Sequence, residues 1–227
     1  MEIVFKTRDV VVINKPFGMP SQKDLTEDPD AMSLCSDLLK SSGEKSSLWL
    51  VHRLDRVVGG ALAFARSKSA AAVLSEAIKE RLLTKQYLAV VIGRPGEGRL
   101  TNYLFKDSKK NKSFVVDRLR NGVKEAVLEY RTLESVLVDG AEMSLVEVHL
   151  MTGRFHQIRA QLSYAGYPII GDKKYGSRYS IKGGIALFAK TLVIEEKGIE
   201  VNVQIRPPKD CYPWNYFCGF FGEGAND

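Results

Sequence analysis

The sequence predicts an α+β fold with a large, mainly antiparallel mixed sheet flanked by a few helices and loops. Segments with strand character dominate, helical segments are few, and the long strand–helix alternation that builds parallel sheets is absent. The 227 residues and a hydrophobic content of 44% suffice for a sizeable core, so we expect one domain over residues 1–218. Residues 219–227 are expected to form a disordered tail.

The first half of the chain predicts one buried strand and two helices. Val10 to Ile13 are β-branched and too few for a helix, so they indicate a buried strand that the turn residues 14–18 end. A polar loop to Asp30 and a short amphipathic helix over 32–40 follow. A second helix is predicted over 68–82, with an apolar stripe made of Ala72, Leu74, Ala77, Ile78 and Leu82.

The second half predicts mostly strands. Tyr87 to Ile92 favours a strand that Gly93 to Gly96 end. Further strands are expected near 99–105, 113–117, 123–135 and 143–151. A helix is predicted from Phe155 to Tyr164, ended by Gly166. A final hairpin is expected from 185–195 and 199–205 through Lys197-Gly198.

Charge and location signals are modest. The formal net charge of +6 suits a partner made of phosphates, although many basic proteins never bind nucleic acid. Charged residues interrupt the first apolar stretch, so no signal peptide is predicted. No run approaches the ~18 apolar residues that a membrane-spanning helix needs. We therefore expect a cytoplasmic protein.

The three cysteines, Cys35, Cys211 and Cys218, are odd in number and spaced like neither a zinc site nor a disulfide framework. Buried or incidental thiols in a reducing compartment are the expectation. A disulfide between Cys211 and Cys218 stays an alternative, because the two lie close in sequence.

The stretch from His52 to Gly60 places Asp55 between two arginines, after a short apolar run and just before a Gly-Gly pair. Taken alone, an aspartate in a loop is more often a turn former or a helix cap. A second block, Thr152 to Arg159, adds to this. The predicted helix puts Arg159 on the apolar face with Ile158, where a cation needs a partner. Pairing with Asp55 would keep that carboxylate ionised, as a nucleophile requires. The alternative is that Arg159 is a surface cation.

Together these blocks resemble the RluA-type family of RNA pseudouridine synthases, whose patterns are H-R-L-D-x-x-T-S-G and T-G-R-x-H-Q-I/L-R. Three further blocks fit in the right order: N-K-P-x-G-M at 14–19, K-x-Y-x-A at 85–89 and G-x-P-I-x-G-D-x-x-Y-G at 166–176. The resemblance spans roughly residues 3 to 207. Two departures stand out. The family's T-S-G is Val58-Gly59-Gly60 here, and a histidine often found after the second block is Gln161.

The resemblance implies a pseudouridine synthase-like catalytic domain with three catalytic residues: Asp55 as nucleophile, Tyr87 stacked on the target base and Arg159. Core packing is the alternative for Tyr87, since strand tyrosines are usually core residues. The family needs no metal, nucleotide or redox cofactor, and the sequence shows no zinc spacing or Walker loop. Many members carry an N-terminal RNA-binding domain, which we do not expect here.

The resemblance also implies RNA contacts. The target uracil must leave its stack, and Arg53 is the candidate to fill the vacated space, a surface ion pair being the alternative. His52 is a candidate contact that could instead pack and orient the loop. The other candidate RNA-binding residues are Arg56, Arg154, His156, Gln157, Lys173, Lys174 and Arg178. A run of lysines is either a solvated hairpin tip or an RNA contact: Lys106, Lys109, Lys110 and Lys112.

The leading hypothesis is a monomeric pseudouridine synthase that acts on a compact stem-loop of ribosomal or transfer RNA. A second is an RNA-binding protein of the same fold with little or no catalysis, favoured only by Val58 and Gly59. A third is a glycoside hydrolase, which needs a second acid. Asp172 is the one carboxylate in the matching blocks that could serve.

Overall fold

The computed structural model describes residues 1–221, which divide into two compact units. The first comprises residues 1–85 and 188–207, and the second comprises 86–187 and the chain from Pro208 onward. Most strand pairs in both units are antiparallel, and three α-helices accompany them in the described chain. The predicted α+β class is confirmed.

The first unit is built on a four-stranded path, β1-β2-β4-β10. Strand β11 pairs with β10, and the short β3 pairs with β4; both pairs are antiparallel. The pair between β4 and β10 is parallel. The elements are β1 Glu2–Lys6, β2 Val10–Lys15, α1 Ala31–Ser41, β3 Trp49–Leu50, β4 Gly59–Ala65, α2 Lys68–Lys79, β10 Leu187–Glu196 and β11 Ile199–Gln204.

Strand β4 was not predicted, although all seven of its residues are buried. Its composition, Gly-Gly-Ala-Leu-Ala-Phe-Ala, is poor in the β-branched residues that favour strands. Burial on both faces also removes the alternation of polar and apolar residues that marks a strand. The small side chains let neighbouring elements approach closely.

Helix α1 matches its prediction and is capped by Asp30, whose side chain accepts a hydrogen bond from the Ser33 N–H. Helix α2 is shorter than predicted, because Arg81 adopts a left-handed backbone (φ +63°) after the helix has ended at Lys79. The predicted stripe was partly wrong, since Ala72 and Leu82 are exposed. The helix instead buries Ala70, Leu74 and Ala77.

The second unit contains an antiparallel meander in the order β5-β9-β8-β6-β7. Strand β5 begins within the first unit and continues into the second. Gln161 pins the helix of this unit to the sheet, because its side-chain nitrogen donates to the carbonyl oxygens of Leu100 and Ala126. The elements are β5 Thr84–Ile92, β6 Glu97–Asp107, β7 Lys112–Val116, β8 Val123–Val138, β9 Ala141–Leu150 and α3 Gln157–Tyr164.

Helix α3 begins two residues later than predicted. His156 has a left-handed backbone (φ +53°) and cannot be the first turn of a right-handed helix. The predicted end is confirmed, with Gly166 in the left-handed region. The hairpin through Lys197-Gly198 is also confirmed, and both turn residues have positive φ.

The domain boundary at residue 218 stays a prediction, and the first residues of the predicted tail are described by the structure. Phe221 is buried, and its backbone N–H bonds to the Cys218 carbonyl oxygen. The remainder of the predicted tail, residues 222–227, lies outside the described residues. All three cysteines are free thiols, so the disulfide alternative is wrong. No helix within residues 1–221 is long and apolar enough to span a membrane.

Candidate active site

Asp55 opens a tight turn between β3 and β4. Its carbonyl oxygen accepts a hydrogen bond from the Val58 N–H (3.0 Å), which closes the turn over residues 55–58. Its side chain is half-buried, whereas Leu54 before it and Val58 after it are buried. The two buried neighbours anchor the turn and hold the carboxylate at its start.

Lys15, at the end of β2, supports this turn through a hydrogen bond to its backbone. Its side chain is fully buried, and its ammonium donates to the carbonyl oxygens of Pro16 (2.9 Å), Met19 (2.7 Å) and Arg56 (3.3 Å). Burial lowers the pKa of Lys15 from 10.5 to about 7, while the nearby Asp55 charge opposes that shift and Arg56 adds to it. Lys15 therefore ties the N-K-P turn to the Asp55 turn.

The Gly59-Gly60 pair is explained by close packing. A Cβ on Gly59 would lie 3.0 Å from the Phe17 ring, which occupies the space where a side chain would stand. Gly60 has a φ of +114°, and a Cβ there would lie 2.6 Å from the backbone nitrogen of Ala189 on β10. Gly60 thus permits the parallel pairing of β4 with β10, and Gly59 is matched to Phe17.

His52 has a structural role. Its Nε2 accepts a hydrogen bond from the Ala63 N–H of β4 (3.0 Å). Burial lowers its pKa well below the usual value, and the nearby Lys85 charge lowers it further. The ring is therefore neutral and orients the chain before Asp55. This is the packing role left open by the sequence, and RNA contact by His52 stays a prediction.

The two arginines beside Asp55 differ. Arg53 is exposed. Arg56 lies against the loop before α1, where its Nη2 is 2.7 Å from Asp28 Oδ2 and 3.6 Å from Asp24 Oδ2. A phosphate can bind Arg56 only by replacing these exposed carboxylates. That replacement costs little free energy, because ion pairs at a solvated surface are weak.

In the second unit, Gln157 organises the T-G-R block. Its side-chain oxygen accepts from Thr152 Oγ1 (2.8 Å) and from the Arg154 N–H (2.9 Å). Its nitrogen donates to the Val127 carbonyl oxygen (3.0 Å). The side chain is buried and both ends of its amide hold the loop, so its structural role is clear and the RNA contact of Gln157 stays a prediction. Arg154 is partly exposed, and its Nε donates to the Glu125 carbonyl oxygen.

Arg159 forms a buried bidentate ion pair with Asp172. Its Nε lies 2.7 Å from Asp172 Oδ2 and its Nη2 lies 2.9 Å from Asp172 Oδ1. The guanidinium carbon is 5.0 Å from the Tyr175 ring centroid. Both charged side chains are almost fully buried. Arg159 is buried, as its place on the apolar face predicted, and within this unit it pairs with Asp172. Its pairing with Asp55 stays a prediction.

His156 stacks on Phe155, with ring centroids 3.8 Å apart, and its Nδ1 lies 3.0 Å from Tyr175 Oη. Burial lowers its pKa to about 3, and the charges of Arg159 and Lys174 act in the same direction. His156 is consequently a neutral ring that shapes the start of α3.

The remaining candidates divide by exposure. Tyr87 lies on β5 opposite Val148 and is buried. Lys173, Lys174 and Arg178 are exposed, as a phosphate contact requires. Asp55 belongs to the first unit, and Tyr87 and Arg159 belong to the second. Their roles as a catalytic set stay predictions.

Comparison with known proteins decides the family. Residues 9–164 match the family described as RNA pseudouridylate synthase, and this range includes Asp55, Tyr87 and Arg159. The chain belongs to this family. The family and the enzyme class predicted from the sequence, an RNA pseudouridine synthase, are confirmed.

Individual relatives agree with this assignment. The chain is 32% identical over 212 residues to ribosomal large subunit pseudouridine synthase C of Rickettsia bellii, covering 91% of this chain and 68% of the relative. It is 33% identical over 216 residues to the uncharacterized RNA pseudouridine synthase YlyB of Bacillus subtilis, covering 92% and 69%. The solved structure of Human RNA Pseudouridylate Synthase Domain Containing 1 is 28% identical, with a TM-score of 0.72, covering 91% of this chain and 83% of that one. The chain spans about two thirds of the length of the two bacterial relatives.

Two residues of this pseudouridine synthase have structural roles that sequence reasoning missed. Lys15 lies in the N-K-P block, which was used only to support the resemblance. Asp172 was considered only as a second acid, because nothing in its spacing from Arg159 indicates a pair. The available signal was their position: Lys15 and Asp172 are each separated by one residue from an apolar run, Val10 to Ile13 and Ile169-Ile170, and a charge so close to a core segment needs partners when it is buried.

Proposed function

We propose that this pseudouridine synthase isomerises one or more uridines in structured ribosomal or transfer RNA, with Asp55 as the nucleophile. The observation that carries the proposal is the position of Asp55. It opens a hydrogen-bonded turn that a buried lysine braces, inside the range that matches the family.

In the proposed reaction the Asp55 carboxylate adds to the ribose carbon as the bond from that carbon to the uracil nitrogen breaks. The freed base rotates, and one of its ring carbons forms the new bond to the ribose carbon while the carboxylate leaves. The proton on that ring carbon is then lost, and the ring nitrogen freed from the ribose takes up a proton, so the product is an isomer of the substrate. A turn held at both ends fixes the carboxylate before the substrate arrives.

Tyr87 and Arg159 complete the proposed set. A buried aromatic ring on a strand is held rigidly and offers a face on which a base can stack. Asp172 binds the Nε–Nη2 side of the Arg159 guanidinium and so fixes its plane and direction. We propose that Arg159, oriented in this way, is the cation that keeps Asp55 ionised.

The RNA must present the uridine outside its stack. Unstacking costs a few kcal/mol, which phosphate contacts and replacement stacking can offset. Arg53 is the proposed residue that fills the vacated space, and its exposed guanidinium suits stacking and phosphate binding. A neutral His52 beneath it acts through the backbone of the loop.

A binding-only protein is the second candidate, because Val58 and Gly59 replace the usual hydroxyl residues. The packing of Phe17 over Gly59 weighs against it, since the ring takes up the space of the missing side chain. A hydrolase is disfavoured because Arg159 engages both oxygens of Asp172, which leaves that buried carboxylate poorly suited to protonate a leaving group.

The test is product analysis on separate RNA pools. Purified protein is incubated with ribosomal RNA and with transfer RNA that lack pseudouridine, and the modified positions are located by sequencing. Pseudouridine at one or a few positions of one pool is expected. Release of free uracil would support a hydrolase, and binding without any product from either pool would support the second candidate.

A further inference from the structure

Four lysines gather at the turn that joins β6 and β7 in the second unit. Lys106 and Lys110 are exposed on the hairpin, Lys112 is partly exposed at the start of β7, and Lys174 is exposed on the turn before Tyr175. We call this group the lysine surface. The sequence alone left open whether its hairpin members form a solvated tip or contact RNA.

Two hydrogen bonds to backbone carbonyls join the segments that carry two of these lysines. The Lys112 ammonium donates to the Lys174 carbonyl oxygen (2.6 Å), and the Lys174 ammonium donates to the Asn111 carbonyl oxygen (3.1 Å). Like charges at a surface normally move apart. Here the backbone carbonyls fix the two lysines beside each other and join the hairpin to the neighbouring turn.

Aromatic rings form the floor of the surface. The Lys106 ammonium is 4.6 Å from the centroid of the Phe155 ring, and the Lys112 ammonium is 4.8 Å from that of Tyr175. The Lys110 ammonium is 5.7 Å from that of Phe114. Such contacts orient a cation and leave its charge intact. Phe155 and Phe114 are partly exposed, so their edges border the same surface.

The ammonium groups of the lysine surface are not paired with carboxylates in the part of the chain that the structure describes. Within residues 1–221, none of the four lysines forms an ion pair with a carboxylate. The nearby Asp107 carboxylate accepts from the Lys110 backbone N–H, and Asp172 is bound by Arg159. Lys174 and Lys106 both lower the pKa of the buried His156, which agrees with a local excess of positive charge. Four ordered, unneutralised ammonium groups fit a polyanion with closely spaced charges.

We propose that the lysine surface binds the phosphodiester backbone of the substrate RNA. The inference rests on the proposed function and adds to it a phosphate-binding site at the β6–β7 hairpin. The three hairpin lysines lie outside the blocks that carry the family resemblance, whereas Lys174 lies in the block at 166–176. Lysines held on aromatic rings lose little side-chain freedom on binding, and each ammonium that replaces a counterion contributes to affinity.

The test compares two variants with the same loss of charge. One carries three substitutions on the hairpin: Lys106→Gln, Lys110→Gln and Lys112→Gln. Its control carries three substitutions of exposed lysines in the first unit: Lys40→Gln, Lys45→Gln and Lys68→Gln. Binding of a fluorescein-labelled RNA stem-loop is measured by anisotropy from 50 to 300 mM salt. Each lost phosphate contact lowers the slope of log affinity against log salt by about 0.7–0.9. The hairpin variant, with three lost contacts, should therefore lose roughly 2.1–2.7 units of slope and about 10- to 100-fold in affinity near physiological salt.

The control variant should change the slope by much less than one unit. A hairpin variant that binds RNA as the control does would overturn the proposal. The proposal would also be overturned if the hairpin variant lost binding to poly-glutamate, a polyanion without phosphate, while its RNA binding stayed unchanged. If the triple variant is misfolded by circular dichroism, Lys110→Gln alone is used, because that ammonium forms no hydrogen bond in the described chain. It should lower the slope by about 0.7–0.9.

Product formation separates this proposal from the proposed function. At RNA concentrations below saturation, the hairpin variant should form pseudouridine more slowly in proportion to its lost affinity, and the control variant should keep the wild-type rate. Absence of product from wild type and variant alike would contradict the proposed function and leave the binding result interpretable by itself.

Discussion

Replacing Asp172 by asparagine removes one charge from the buried pair and leaves the Arg159 guanidinium in place. The two side chains are 6% and 1% exposed, and two hydrogen bonds of 2.7 and 2.9 Å join them. Asparagine has nearly the same shape as aspartate, so the change acts on charge and hydrogen bonding and creates no cavity.

The expected cost is large because a buried cation loses the charge of its bidentate partner Asp172. Removing one member of a buried ion pair destabilises a protein by about 3–5 kcal/mol. For a chain of this size that corresponds to a fall in Tm of roughly 6–20 °C. Asp172→Asn should also reduce product formation strongly, because Arg159 is no longer held in one direction.

The assay is urea unfolding followed by fluorescence and circular dichroism, with product formation measured on the same samples. The double variant Arg159→Met with Asp172→Leu removes both charges and should recover most of the stability while staying inactive. Glu129→Gln is the control, since its 3.3 Å pair with Arg99 is exposed and should change the free energy of unfolding by less than about 0.5 kcal/mol. A cost below about 1 kcal/mol for Asp172→Asn, or an active double variant, would refute the reasoning.

Three further results are expected. Gly60→Ala should lower the free energy of unfolding by about 2–5 kcal/mol in thermal unfolding, because its Cβ meets the Ala189 backbone and its φ is +114°. Gly43→Ala, which has open space around it, is the control and should cost about 1 kcal/mol. Equal costs for the two variants would contradict the close-packing account. Gly59→Ser should slow product formation, because the new side chain clashes with the Phe17 ring, and adding Phe17→Ala should relieve this clash. A double variant that forms product no faster than Gly59→Ser would show that the Phe17 ring is not the cause of the loss. Burial lowers the pKa of Lys15 from 10.5 to about 7, so the unfolded chain binds more protons at this site between those values. The free energy of unfolding should rise with pH across that window by up to about 1.4 kcal/mol per unit relative to Lys15→Met, and identical pH profiles would contradict this.

The elements that the sequence predicted correctly are those in which local chemistry and tertiary structure agree. Val10 to Ile13 are β-branched and lie in a buried strand, and Asp30 caps the helix that follows it. Strand β4 could not be predicted, because its glycines and alanines have low strand propensity. Their small size instead allows close contact with Phe17 and β10. Its existence depends on neighbours distant in sequence.

The candidate site shows the same division. The loop that carries Asp55 was predicted from its residues, and the turn at 55–58 is local. The start of α3 was not predicted, because the left-handed backbone of His156 follows from its packing against Phe155 and Tyr175. The pairing of Arg159 with Asp172 joins two blocks that have no periodic relation, so only the folded chain reveals it.

The central claim is that Asp55 carries the chemistry, and tritium release tests it most directly. The substrate is cellular RNA that lacks the native modification and carries tritium on the uracil carbon that receives the new bond. Wild type should release tritium, and Asp55→Asn should release none while its RNA affinity stays within a few fold of wild type. Substantial tritium release by Asp55→Asn would contradict the account.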